Sequence, residues 1–146
     1  MRIAYVSNNN PFDVNNWSGT PSNIISALQK YHEVVWVGGG TLNGAFWHHC
    51  FLNSKVSFNL LDYCVDISRI ISGIIQNGKF DAVISSTYSM CSQLDIDIPL
   101  IAFGDLTYSL CNKYLRKSPP QFKARSMREE EKFLQCADAV IYSSEF

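Results

Sequence analysis

The chain lacks most of the features that place a protein quickly. No stretch approaches the roughly 18 consecutive apolar residues of a membrane-spanning helix. The opening MRIAYVS has an apolar run too short for a secretory leader. No CxxC pair occurs among the five cysteines, Cys50, Cys64, Cys91, Cys111 and Cys136. Their odd number and scatter argue against a disulfide framework and for reduced thiols in a cytoplasmic setting. Neither GxGxxG nor a P-loop is present, which counts against a small enzyme that uses a nucleotide by itself. There is no internal repeat and no low-complexity tract. Charged residues make up only 17%, and the net charge of −1 gives no overall pull toward nucleic acid or membranes. No metal site is expected: HHC at 48–50 stands alone, and adjacent histidines do not readily converge on one ion.

What is present is an ordinary globular composition, 47% apolar over 146 residues, enough for one domain with a real core. RIAYVS at 2–7 and EVVWVG at 33–38 read as strands buried on both faces, as in parallel sheets. A helix from Pro21 to Tyr31 joins them into a βαβ unit. KVSFNL at 55–60 is a candidate third strand. Residues 60–77 carry apolar side chains at helical spacing, and Gly78 is placed to end that helix. DAVISS at 81–86, PLIAFGD at 99–105 and DAVIYSS at 138–144 are further strands. Short helical pieces are expected at 88–93 and 107–115, then a break at KSPP, then a helix over 123–136. Strands alternating with helices mean a doubly wound α/β fold with a mostly parallel sheet and helices on both faces. A last strand with no helix after it suggests a chain that continues.

In open α/β sheets ligands bind beyond the carboxyl ends of the strands. Those ends are small or polar here: Ser7 to Asn10, Gly38 to Gly40, Ser85 to Tyr88, Gly104 to Thr107, and Ser143 to Glu145. Ser18 or Thr20 can cap the first helix, with Pro21 in its first turn. Gly19 lets the backbone approach a ligand closely or adopt a positive φ. The free N–H groups at that helix start can receive an anion or sugar hydroxyls; an ordinary capped helix is the plain alternative. Asp105 follows a buried strand directly, beside Thr107 and Tyr108. It can bind sugar hydroxyls or act as a base, or simply cap the next helix. FWHH at 46–49 lines an acceptor pocket or anchors a loop. Trp17 either packs its loop down or faces an acceptor. REEEK at 128–132 reads as a solvated helix face. Seven of the twelve Lys and Arg residues fall between Lys113 and Lys132, again a solvated face, with peripheral contact to anionic lipid on the inner side of a membrane as the alternative.

MRIAYVS, WSGTPSNIISALQKYHEVVWVG, FDAVISS, IPLIAFGDLTYSL and EEEKFLQCADAVIYSS together resemble the N-terminal half of a family 4-like glycosyltransferase of the GT-B fold. The resemblance covers most of the chain apart from about residues 40–58. It implies a single Rossmann-like acceptor-side domain over 1–146, with a C-terminal donor-binding domain absent from this chain. It implies transfer of a sugar from a nucleotide-diphosphate sugar to a sugar, lipid or small-molecule acceptor, with no required metal or other cofactor. The family's glycine-containing loop near the donor phosphates matches Ser18, Gly19 and Thr20, with Thr107 as a further substrate contact. Many members carry a histidine where this chain has Asp105, the candidate catalytic residue. Asn10, Trp17, Ser86 and Tyr88 are the candidate acceptor pocket. The domain alone is expected to be inactive. The competing expectation is a non-enzymatic α/β binding module, or a partner subunit of a split glycosyltransferase.

Overall fold

The computed structural model describes residues 1–39, 60–114 and 119–142. Five parallel strands form one sheet: β1 (Arg2–Ser7), β2 (Glu33–Gly38), β3 (Ala82–Ser85), β4 (Leu100–Gly104) and β5 (Ala139–Tyr142). Their order is β2-β1-β3-β4-β5. The chain winds from β1 to β2 on one side and then crosses to β3 on the other. The topological switch point therefore lies between β1 and β3, the position where sheets of this kind open a crevice.

The helices are α1 (Thr20–Leu28), α2 (Leu60–Gly78), α3 (Tyr88–Cys91), α4 (Tyr108–Tyr114) and α5 (Pro120–Cys136). Alternate strand residues face opposite sides, and the described residues build two separate apolar clusters on them. Ala4, Val6, Val37, Val83, Leu100 and Ala102 pack under Ile67, Ile71 and Ile75 of α2, Met90 and Cys91 of α3, and Phe133 of α5. Ile3, Tyr5, Val34 and Ile84 face the other way, onto Ile25 of α1, with Ile24, Leu28 and Ile101 around them. The expected doubly wound α/β fold is thus present. β5 forms the outer edge and is the exception to burial: Val140 and Ile141 are 42% and 50% exposed.

Several boundaries move for identifiable reasons. The first helix ends at Leu28, not Tyr31, because His32 N–H returns to Leu28 O and Glu33 N–H already pairs with Met1 O. The chain is entering β2 by then. The last helix starts at Pro120, not 123, with Pro119 as its N-cap residue. A proline in the first turn needs no N–H partner, so Pro120 fits the opening of this helix; Lys117 and Ser118 of KSPP lie outside the described residues. Gly78 does close α2, but the left-handed residue is Lys79, with φ +52°. Residues 55–59 of the candidate third strand lie outside the described residues; Leu60 opens α2. HHC at 48–50, FWHH at 46–49 and Ser143 to Glu145 also lie outside them.

The amino end of the sheet is tied down. Arg2 Nε meets Glu33 Oε1 at 3.1 Å, its Nη1 donates to Gly78 O, and its guanidinium lies 5.0 Å from the Phe80 ring centre. Arg2 N–H donates to Asp81 Oδ2 at 2.6 Å. The opposite, carboxyl end is the one left for ligands.

Candidate functional site

The carboxyl rim begins with the loop after β1, which is braced by its own amides. Asn10 Oδ1 accepts from Phe12 N–H at 3.0 Å, and Asp13 Oδ1 accepts from Asn15 N–H at 2.9 Å. Asn16 Nδ2 reaches back to Asn10 O at 3.3 Å. These short side-chain-to-backbone turns explain why the loop is so rich in Asn and Asp. Gly38 explains part of GGG at 38–40: a Cβ there would lie 1.9 Å from Ser7 O. The end of β2 therefore approaches the β1 loop as closely as backbone allows, and Trp36 Nε1 donates to the same Ser7 O at 3.2 Å.

Residues 17 to 19 make a left-handed turn before α1. Trp17 has φ 49° and ψ 48°, Ser18 has φ 54° and ψ 29°, and Gly19 has φ 80° and ψ 0°. Two consecutive side-chain-bearing residues in this region cost about 1–2 kcal/mol each. The turn is held from outside: the Trp17 ring meets the Phe103 ring of β4 edge to face, with centroids 5.8 Å apart. Of the two uses expected for Trp17, the packing one is observed. Gly19, rather than Ser18 or Thr20, is the N-cap residue of α1. Ser18 is exposed and Thr20 is the first helical residue.

On the far side of the switch point, Ser85 is fully occupied. Its Oγ accepts from Thr87 N–H at 3.1 Å and from the Cys91 thiol at 3.1 Å, and lies 3.2 Å from Val6 O as a donor. Burial pushes the Cys91 thiol up to about 12, with the Ser85 contact pulling the other way. Tyr5 runs from β1 toward this rim. Burial raises its phenol, and the Ser86 hydroxyl tempers the shift. No described group meets Tyr5 Oη in full hydrogen-bond geometry.

After β4, Thr107 caps α4: Thr107 Oγ1 accepts from Leu110 N–H at 3.3 Å. Asp105 lies at the end of β4, half-buried.

Beyond β3, β4 and β5 lies a pocket of about 200 Å³, whose walls include Ser86, Tyr88, Gly104, Tyr108, Glu130 and Tyr142. Phe103, Cys111 and Phe133 also line it. Tyr88 and Tyr108 meet edge to face, with ring centroids 6.2 Å apart. Glu130 Oε1 accepts from Tyr108 N–H at 2.7 Å. Burial raises the Glu130 carboxyl above its ordinary range, and the Tyr108 N–H only partly offsets this. The Tyr88 and Tyr142 phenols are both raised, first by burial and then in part by the nearby Glu130 charge.

The structure therefore brings Ser86 and Tyr88 together and joins them, through Phe103, to Trp17. Asn10, Ser18, Gly19, Thr20, Asp105 and Thr107 lie on the same rim but do not line this pocket. Tyr108, Glu130 and Tyr142 were not singled out as site residues. Glu130 had a signal: Phe133 marks the buried face of α5, and helical spacing puts 126, 129 and 130 on it too. REEEK is accordingly only in part a solvated face: Arg128 and Glu131 are exposed, whereas Glu129 and Glu130 turn inward. Ser126 and Glu129 are 0% and 2% exposed. Glu129 Oε2 accepts from Ser92 Oγ at 2.8 Å and from Gln93 Nε2 at 3.1 Å, while Oε1 meets Lys132 Nζ at 3.1 Å.

Fold and rim together define an α/β domain of the doubly wound class with a small aromatic pocket at its carboxyl edge. No family model, curated protein or solved structure matches the chain. Among the described residues no group of His, Cys, Asp and Glu is placed to hold a metal ion, and no helix is long and apolar enough to cross a membrane.

Proposed function

We propose that this chain is the acceptor-side domain of a glycosyltransferase, moving a sugar from a nucleotide diphosphate to an acceptor. One observation carries the reading: Trp17 on Phe103 fastens the left-handed turn of residues 17–19 beside the aromatic pocket, on one carboxyl rim. The first N–H groups of α1 offer partial positive charge to a diphosphate, and buried Gly19 leaves no side chain in the way. Developing charge on a leaving diphosphate is stabilised by such preorganised donors. Asp105 is assigned to a sugar hydroxyl or to the attacking acceptor oxygen. Ser86 and Tyr88 are assigned to the acceptor. Most of the donor would be held by a second, C-terminal domain, and the exposed apolar strand β5 supplies surface for another body of protein. A cytoplasmic location goes with this reading.

The test is transfer from a panel of nucleotide sugars by the full natural gene product. Gly19→Trp and Asp105→Ala should each lower kcat/KM by at least about tenfold, or ~1.4 kcal/mol of transition-state stabilisation. If both variants transfer sugar as the wild type does, the assignment fails.

A second reading is a non-enzymatic binding module or a partner subunit of a split glycosyltransferase. It is favoured by how much of the polar rim is spent internally: Asn10 on a turn, Ser85 on three neighbours, Thr107 on a cap. Ligand binding by the full gene product without turnover on any donor would select it.

A further inference from the structure

Among the described residues Glu130 is the one charged residue lining the pocket, and most of the others are aromatic, aliphatic or hydroxyl-bearing. No lysine, arginine or histidine among the described residues lines it. The carboxylate spends Oε1 on the Tyr108 N–H. That backbone bond caps α4, but it brings the negative charge no positive partner among the described residues, in a place that burial makes costly for it. Glu129, one residue earlier, shows what a settled buried carboxylate looks like on this helix: two neutral donors and a lysine.

Around Glu130 stand three tyrosines. Tyr88 and Tyr108 meet at nearly a right angle, 76° between ring planes. The Tyr142 ring lies across Gly104, where an added Cβ would touch Tyr142 Cε1 at 3.5 Å. Tyr142 is 40% exposed, so it stands at the mouth rather than the base. Aromatic faces carry negative quadrupole charge and attract cations, most strongly where water is excluded. A carboxylate beside several such rings recognises a cation that also has carbon to bury. An inorganic anion would be repelled. A hard divalent ion would find one carboxylate where it needs several oxygen ligands.

We infer that the pocket formed by Tyr88, Tyr108, Tyr142 and Glu130 binds a small organic cation, an ammonium group bearing methyl or methylene substituents. The volume of about 200 Å³ suits such a head group and is too small for a nucleotide. The inference does not rest on glycosyl transfer, because binding is measured with no donor present.

Choline and its uncharged isostere 3,3-dimethylbutan-1-ol are the probes, titrated calorimetrically and by chemical-shift perturbation into the chain. Choline should bind at least about tenfold more tightly than the alcohol, the scale of a desolvated cation–aromatic contact. Glu130→Gln should lose that preference while binding the alcohol as before. Tyr142→Leu, at the exposed mouth where folding is not at stake, should weaken choline binding by at least about threefold. Equal affinity for the two probes, or no binding of choline, overturns the inference. So does choline binding that survives both substitutions.

Discussion

Glu129 and Glu130 are neighbours on α5, yet their carboxyls are shifted in opposite directions. Burial pushes both upward. For Glu129 the hydrogen bonds from Ser92, Gln93 and Lys132, with the lysine charge, outweigh burial and hold it below its ordinary range. For Glu130 the single Tyr108 N–H does not, and the carboxyl stays above it. Glu129 therefore contributes stability that is present above the unfolded glutamate pKa and is lost as pH falls through the lower, folded value. Glu130 does the reverse: its penalty sets in as pH rises from the ordinary value through the raised, folded one. Glu129→Gln should lose about 1–3 kcal/mol at neutral pH, and Glu130→Gln distinctly less. Urea unfolding between pH 4 and 8 checks this. The gap between the two variants should narrow at the acid end.

Gly19→Ala tests the left-handed turn. Its φ of +80° and a Cβ 3.3 Å from Val14 O both oppose a side chain. A loss of about 1–2 kcal/mol is expected, and Gly19→Asn should recover part of it, since asparagine tolerates this region. Thermal unfolding of the two variants provides the comparison.

The Trp17–Phe103 contact should appear in a double-mutant cycle. Trp17→Ala and Phe103→Leu, singly and together, should give a coupling of about 0.5–1.5 kcal/mol. A coupling near zero would mean that the edge-to-face pair does not hold the turn.

Gly38→Ala is expected to be the most damaging of the single substitutions. The added carbon would stand 1.9 Å from Ser7 O and 2.5 Å from Trp36 Nε1, so the ends of β1 and β2 must part. A loss of more than about 3 kcal/mol follows, read from denaturant midpoints or from failure to accumulate as folded protein.

The thiols should separate by reactivity. Cys136 is exposed, whereas burial pushes Cys64 up to about 11 and Cys91 up to about 12. Alkylation at pH 8, mapped by mass spectrometry, should mark Cys136 before Cys64 and leave Cys91 untouched until the chain unfolds.

Much of the fold was legible because buried parallel strands write themselves as unbroken apolar runs. IAYV, AVI and LIAF are such runs, and each lies in the sheet where it was expected. α2 was legible from Ile67, Ile71 and Ile75, four residues apart. The site was harder, since its parts depend on contacts that spacing does not encode. Trp17 and Ser18 adopt positive φ beside a ring contact with Phe103, and nothing in WSGTP announces either. The aromatic pocket needs α5 to lie against β4 and β5, which brings Glu130 to Tyr108 and Tyr142. Three glutamates in a row look solvated until Phe133 fixes which side of the helix is turned inward. Asp105 was recognisable as a strand-end carboxylate, and Thr107 as a helix-start hydroxyl, but which of them meets Leu110 N–H is a matter of backbone geometry.

The aromatic contact between Trp17 and Phe103 also has a meaning in time. It joins the first loop of the chain to its fourth strand, across most of the sequence. The left-handed turn gains its anchor only after β4 has taken its place beside β3. Its native interactions should therefore be absent from the folding transition state if that state is built around β1, α1 and β2, and truncating Trp17 would quicken unfolding while leaving refolding unchanged. The lip of the site would be the last part of the domain to set and the first to loosen.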